Sequence, residues 1–74
     1  MAKLRRLSGR QVCAILEKHG FREVRRRGSH RIMQKQLPDT TITVPVPDHK
    51  ELFEGTLSGI IRQSRVHRKE FESG

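Results

Sequence analysis

The stretch RRRGSHRIMQK, residues 25 to 35, sets three arginines, a glycine, a serine and a histidine ahead of an alternating run. Among these types, histidine is the one that exchanges a proton readily near neutral pH. An imidazole backed by guanidinium groups suits attack on an RNA phosphodiester. RNA carries its own nucleophile, the 2′-hydroxyl. A base that removes this proton lets the oxygen attack the adjacent phosphorus, and no metal is required in principle. General acid–base help of this kind is worth about 10²- to 10⁴-fold in rate. Arg25, Arg26, Arg27, Arg31 and Lys35 are near enough to His30 in sequence to hold phosphate oxygens and stabilise a pentacoordinate phosphorus. Gly28 lets backbone approach backbone, and Ser29 offers a hydroxyl and an N–H to a phosphate oxygen. The plain alternative is a surface histidine at a strand start, within a charge run that is merely solvated. Residue types alone do not choose between the two.

The other candidate ligands are scattered. The chain has four histidines, His19, His30, His49 and His67, and one cysteine, Cys13. A zinc site needs three or four ligands at converging spacings, so neither a metal nor another cofactor is expected. His19 reads as a helix-end residue interacting with the dipole. His67 reads as solvated among Arg65, Arg68 and Lys69. Cys13 lies in an apolar helical pattern and reads as a small packed hydrophobe. A lone cysteine forms no internal disulfide, which fits a reducing cytoplasm.

The elements that must position His30 come from 74 residues, enough for a single domain spanning 1–74. Apolar types make up 32%, so the core is small. The formal net charge is +8, unevenly spread. Residues 1–36 hold 11 Lys and Arg against 2 acids; residues 37–74 hold 5 against 6. This balance predicts attraction to a polyanion or to an acidic protein. DNA finds little support, since there is no C₂H₂ spacing, no basic zipper and no convincing recognition helix. With three Phe and no Trp or Tyr, a membrane-surface helix is not expected, nor is base reading by aromatic stacking. No apolar run is long enough for a secretion signal or a membrane span.

Residues 1–7 read as a basic lead-in. Ser8 can cap a helix carrying Val12, Ile15, Leu16 and His19 on one face, and Gly20 can end it. Residues 21–27 read as a strand broken at Gly28. His30–Gln36 alternates, with His30, Ile32 and Gln34 pointing one way and Arg31, Met33 and Lys35 the other. Each face has one apolar residue, so the alternation does not settle which is buried. A turn at 38–40 leads to the clearest strand, 41–46, with Ile42, Val44 and Val46 on one face. Pro45 and Pro47 cannot donate ladder hydrogen bonds, so that strand lies on an edge or ends there. Residues 47–55 read as a polar connection. Thr56 can cap a second helix with Leu57, Ile60 and Ile61 as its buried stripe, and Phe71 can fold back on the core from a final short turn. Helix, three antiparallel strands and helix make an α+β fold, with both helices on one face and a largely basic face opposite.

Three segments in order, LEKHGFREVRRRGSHRIMQK, TITVPVPDHKEL and GTLSGIIRQS, closely resemble the HicA family of toxins from prokaryotic toxin–antitoxin pairs. The resemblance runs from about Leu7 to Phe71. It implies a fold similar to a double-stranded RNA-binding domain and a cytoplasmic ribonuclease that cleaves messenger RNA to arrest translation. It implies that His30 is catalytic, with Gly28 and Ser29 at their motif positions. It also implies a HicB-type antitoxin partner that covers the toxin, with DNA involved only indirectly through that partner. A non-catalytic RNA-binding module of the same fold is the alternative, and a protein stable only within an assembly is a third reading. His49 in the family-like loop reads as structural, with an assisting acid–base role as its alternative. Phe53 is either a core residue or part of the antitoxin interface, the latter preferred. The tail SRVHRKEF is more basic than the family pattern leads one to expect.

Overall fold

A computed structural model describes residues 3–73; the first two residues of the basic lead-in and Gly74 lie outside the described residues. The order is α1 (Gly9–Lys18), β1 (Arg22–Arg27), β2 (His30–Gln36), β3 (Thr41–Pro47) and α2 (Glu54–Ser64), followed by a 3-10 turn (Arg68–Phe71).

Ser8 starts α1 as its chemistry suggests. Its Oγ accepts the Gln11 N–H at 3.0 Å, and Gln11 Oε1 accepts the Ser8 N–H at 2.9 Å. Two donors at the helix start are thereby satisfied reciprocally. Val12, Cys13 and Leu16 are buried, and Ile15 is half-buried. Gly20, at φ +93°, supplies the left-handed position after the helix. Gly9 sits against the backbone after β3. A side chain there would meet the Pro47 carbonyl oxygen, and the Gly9 N–H already donates to His49 O at 2.9 Å. The start of α1 is thus locked to the end of β3.

The strands form one antiparallel sheet in the order β1-β2-β3. The register settles what alternation left open. Met33 pairs with Val44, Arg31 with Val46 and Lys35 with Ile42, so these face the helices. Val44, Val46 and Met33 are fully buried there together with Val12 and Leu16 of α1, Leu57 of α2 and Phe71, and Ile60 of α2 is buried beside them. Ile32 is also buried, but on the opposite face and outside that cluster. β3 is an edge strand, which accommodates Pro45 and Pro47.

α2 begins earlier than a Thr56 cap predicts. Its cap is Phe53, with no side-chain hydrogen bond, and Glu54 lies in the first turn, where a negative charge suits the dipole. The cause is Leu52. This residue of the connection read as polar is buried, and its N–H donates to Leu7 O at 2.8 Å. Anchoring Leu52 turns the chain into the helix directly after it, leaving Thr56 inside. The lead-in is also more than a basic tail. Leu4 bridges Glu72, the Arg5 N–H donates to Phe71 O at 2.8 Å, and the Ser73 N–H donates to Lys3 O at 2.9 Å. This clasp holds Phe71 in the core, with no exposed surface.

Cys13 is a packed hydrophobe, 4% exposed. Burial pushes its thiol from 9.0 up to about 11; the Arg31 charge opposes this, and Glu23, Glu17 and Asp48 add to it. The folded state thus holds the thiol proton more tightly than the unfolded chain does. The resulting stability is complete below about pH 9 and is lost as pH rises towards about 11. The unfolding free energy of wild type should fall by about 2 kcal/mol more than that of Cys13→Ala across this window. Urea titrations at several alkaline pH values check this; parallel curves would refute it.

Candidate nucleic-acid interface

His30 is the first residue of β2, directly after the two-residue turn Gly28-Ser29. Gly28 has φ +58°, whereas Ser29 is not in the left-handed region. A positive φ at the first central position alone is the type II′ pattern, for which Gly-Ser is a suitable pair. The turn is tied down from the far strand, because the Asp48 N–H donates to Ser29 O at 2.7 Å. His30 is therefore held between Arg27 on β1 and Pro47 on β3, its partners across the sheet. Its side chain is exposed.

A bulge in β1 decides which arginines share its face. Arg22 and Glu23 pair with Gln34 and Met33, and the register then shifts so that Arg25, Arg26 and Arg27 pair with Ile32, Arg31 and His30. Val24 is the extra residue. As a result Arg22, Arg25 and Arg27 stand on the His30 face. All three are exposed, and no strand residue on that face is acidic. Bulges re-aim side chains in this way beside functional sites.

Arg26 and Arg31 lie on the opposite face. Arg26 approaches Glu23 at 3.5 Å and Asp48 at 3.1 Å; Arg31 approaches the same carboxylates at 3.4 Å each. Arg31 is only 18% exposed at its side chain. Its Nε is buried without a hydrogen bond, so its contact with Asp48 is ionic rather than aligned. Lys35 also lies on the helix face, with Nζ 6.0 Å from the Phe21 ring. Of the five basic candidates, Arg25 and Arg27 are brought to His30, and Arg26, Arg31 and Lys35 are directed elsewhere. Arg22 was not singled out in the sequence, because the bulge that aligns it with them leaves no signal in a run of arginines.

His30 borders a groove of about 350 Å³ between β3 and α2. Pro45 and Pro47 form one side, Gly55, Thr56, Gly59 and Gln63 the other, and Ile60 also lines it. His49 lies outside it, in a separate depression with Ser8, Arg10, Asp48 and Lys50. Phe53 is 82% exposed and takes no part in the core. His19 Nε2 lies 3.3 Å from Glu70 Oε1, linking α1 to the 3-10 turn, and the exposed His67 accepts the Lys69 N–H at its Nδ1. Among the described residues, no three or more His, Cys, Asp or Glu side chains gather where they could hold a metal ion. No helix among them is long and apolar enough to cross a membrane.

Two helices covering one face of a three-stranded antiparallel sheet define an α+β protein of the double-stranded RNA-binding-domain-like class. The sequence matches the model of the HicA toxin of bacterial toxin–antitoxin over residues 9–66. The chain belongs to the HicA toxin family. No curated protein matches it significantly.

Proposed function

We propose that this HicA-family toxin is a ribonuclease that cleaves messenger RNA, with His30 moving the proton at the reacting centre. The observation that carries this reading is an exposed His30 with Arg27 and Arg25 near it and Arg22 farther along the same sheet face, whose strands present no acid. Successive phosphates of a single strand lie along Arg27, Arg25 and Arg22, of which Arg27 and Arg25 hold the scissile group near the imidazole. His30 takes the proton of the 2′-hydroxyl. The 2′-oxygen bonds to phosphorus to close a 2′,3′-cyclic phosphate. The bond to the 5′-oxygen breaks, and that oxygen leaves as a hydroxyl with a proton drawn from solvent, while His30 returns its own proton to water. Guanidinium groups stabilise the charge gathered on the phosphorus oxygens in between. Gly28 and Ser29 set the turn that presents His30, and the Ser29 hydroxyl is free to donate to a phosphate oxygen. Lys35 adds positive charge from behind the sheet, whereas the charges of Arg26 and Arg31 are offset there by Glu23 and Asp48. The whole chain, 1–74, acts as one toxin domain in the cytoplasm and needs no metal. A HicB-type antitoxin silences it by covering His30, with the exposed Phe53 within the covered surface.

The test is cleavage of single-stranded RNA in the presence of EDTA, with and without the cognate antitoxin. Cutting that persists in chelator and stops with the antitoxin is expected. RNA that is bound and never cut would favour the RNA-binding module instead. In the same assay, replacing Arg25 and Arg27 together by Gln should weaken binding and flatten its salt dependence by roughly 0.7 for each phosphate the pair neutralises. An unchanged slope would remove those residues from the interface.

A further inference from the structure

The groove beside His30 has a wall that the proton transfer leaves unused. We propose that it is a subsite for one unpaired nucleobase of the bound strand, next to the phosphodiester presented to His30. This proposal rests on the ribonuclease reading above. The groove's volume, about 350 Å³, falls in the range of small-ligand sites, roughly 300–1,000 Å³. The flat apolar rings of Pro45 and Pro47 border it on the sheet side. On the helix side the wall is bare at Gly55 and Gly59.

Packing does not account for these glycines. A Cβ added at Gly55 meets nothing within 4 Å, and one at Gly59 meets only the Arg62 Nη2 atom at 3.9 Å. Neither has a positive φ. A glycine inside a helix is about 1 kcal/mol less favourable than alanine. The fold would gain from a side chain at Gly59, and the groove would lose its width. Thr56 and Gln63 supply what the edge of a base requires: a hydroxyl that donates and accepts, and a carboxamide with both functions. Arg25 and Arg27, on the same face as His30, would carry the backbone past the groove's mouth. A base inside a duplex cannot turn into such a cleft, whereas an unstacked one can. The subsite therefore selects single-stranded RNA, and it does so without an aromatic platform.

The test uses 2′-O-methyl RNA, which lacks the attacking hydroxyl and cannot be cut by this chemistry. Wild type should bind a short 2′-O-methyl oligouridine about ten-fold more tightly than an abasic strand with the same backbone, the worth of one or two hydrogen bonds to the base edge. Gly59→Leu should bind the two strands equally, while its thermal midpoint stays at or above that of wild type. Gln63→Ala, at an exposed position, should narrow the spread of affinities among the four homopolymers. Equal binding of base-bearing and abasic strands by wild type overturns the proposal. So does a base contribution that survives Gly59→Leu, or a spread unchanged by Gln63→Ala. These readouts do not depend on cleavage. A failure of the ribonuclease reading appears separately, as natural RNA left intact by a protein that still distinguishes the two strands.

Discussion

His30→Ala should slow RNA cleavage by about 10²- to 10⁴-fold and leave the thermal unfolding midpoint close to that of wild type. The first half follows from the chemistry, because loss of the imidazole removes the group proposed to carry the proton. The second half follows from the surroundings. The side chain is exposed, stands outside the hydrophobic cluster, and its neighbours on the sheet are Arg27 and Pro47. The backbone that holds the turn, through Ser29 O and the Asp48 N–H, does not involve the ring. Affinity for an uncleavable strand should change little, since Arg25 and Arg27 remain. A purified variant that cuts RNA at the wild-type rate would end the assignment of His30. A variant that fails to cut because it is unfolded would instead show a circular dichroism spectrum unlike that of wild type.

Phe71→Ala should cost about 3–5 kcal/mol of folding stability. A chain of this length has roughly 4–11 kcal/mol in total, so a large share of the population would unfold. Phe71 has no exposed surface, and the segment carrying it is fastened on both sides. Its carbonyl accepts the Arg5 N–H, and Glu72 bridges Leu4. The collapse around a smaller side chain is therefore restricted, which places the effect in the upper part of the range. Phe71→Leu, which keeps most of the volume, should cost less. Urea denaturation followed by circular dichroism measures both; a midpoint unmoved by the alanine would mean that the terminal clasp is dispensable. Activity would fall with the fold in this case. That distinguishes Phe71 from His30, where activity falls and the fold stays.

Much of this architecture can be read from local signals. Ser8 with Gln11 three residues on, Gly20 after Lys18, and Ile42-Val44-Val46 in alternation each act over a few residues, and the observed elements follow them. What escaped the sequence depends on distant partners. The start of α2 moved because Leu52 bonds to Leu7, 45 residues earlier in the chain, and no local pattern carries that. The faces of β2 were undecided because Ile32 and Met33 are both apolar; pairing with β3 assigned them. The candidate site was legible to a similar degree. The turn and the histidine stand next to each other in sequence. The division of Arg25 and Arg27 from Arg26 depends on a bulge within a run of like residues, where any alternation looks the same. Arg31 reads as one more surface cation, although it is largely covered and faces two carboxylates. The acids that occupy it, Glu23 and Asp48, lie eight residues before it and seventeen after it.

The widened spot at Val24 gives β1 one residue of slack. Arg25 to Arg27 keep step with the hairpin end of the ladder, and Arg22 and Glu23 keep step with the other end. Deleting Val24 would join the two phases without moving any of these five side chains to the other surface. The strand would lose local curvature while its charges kept their places. That position is where the shape of the cationic surface can be edited separately from its chemistry.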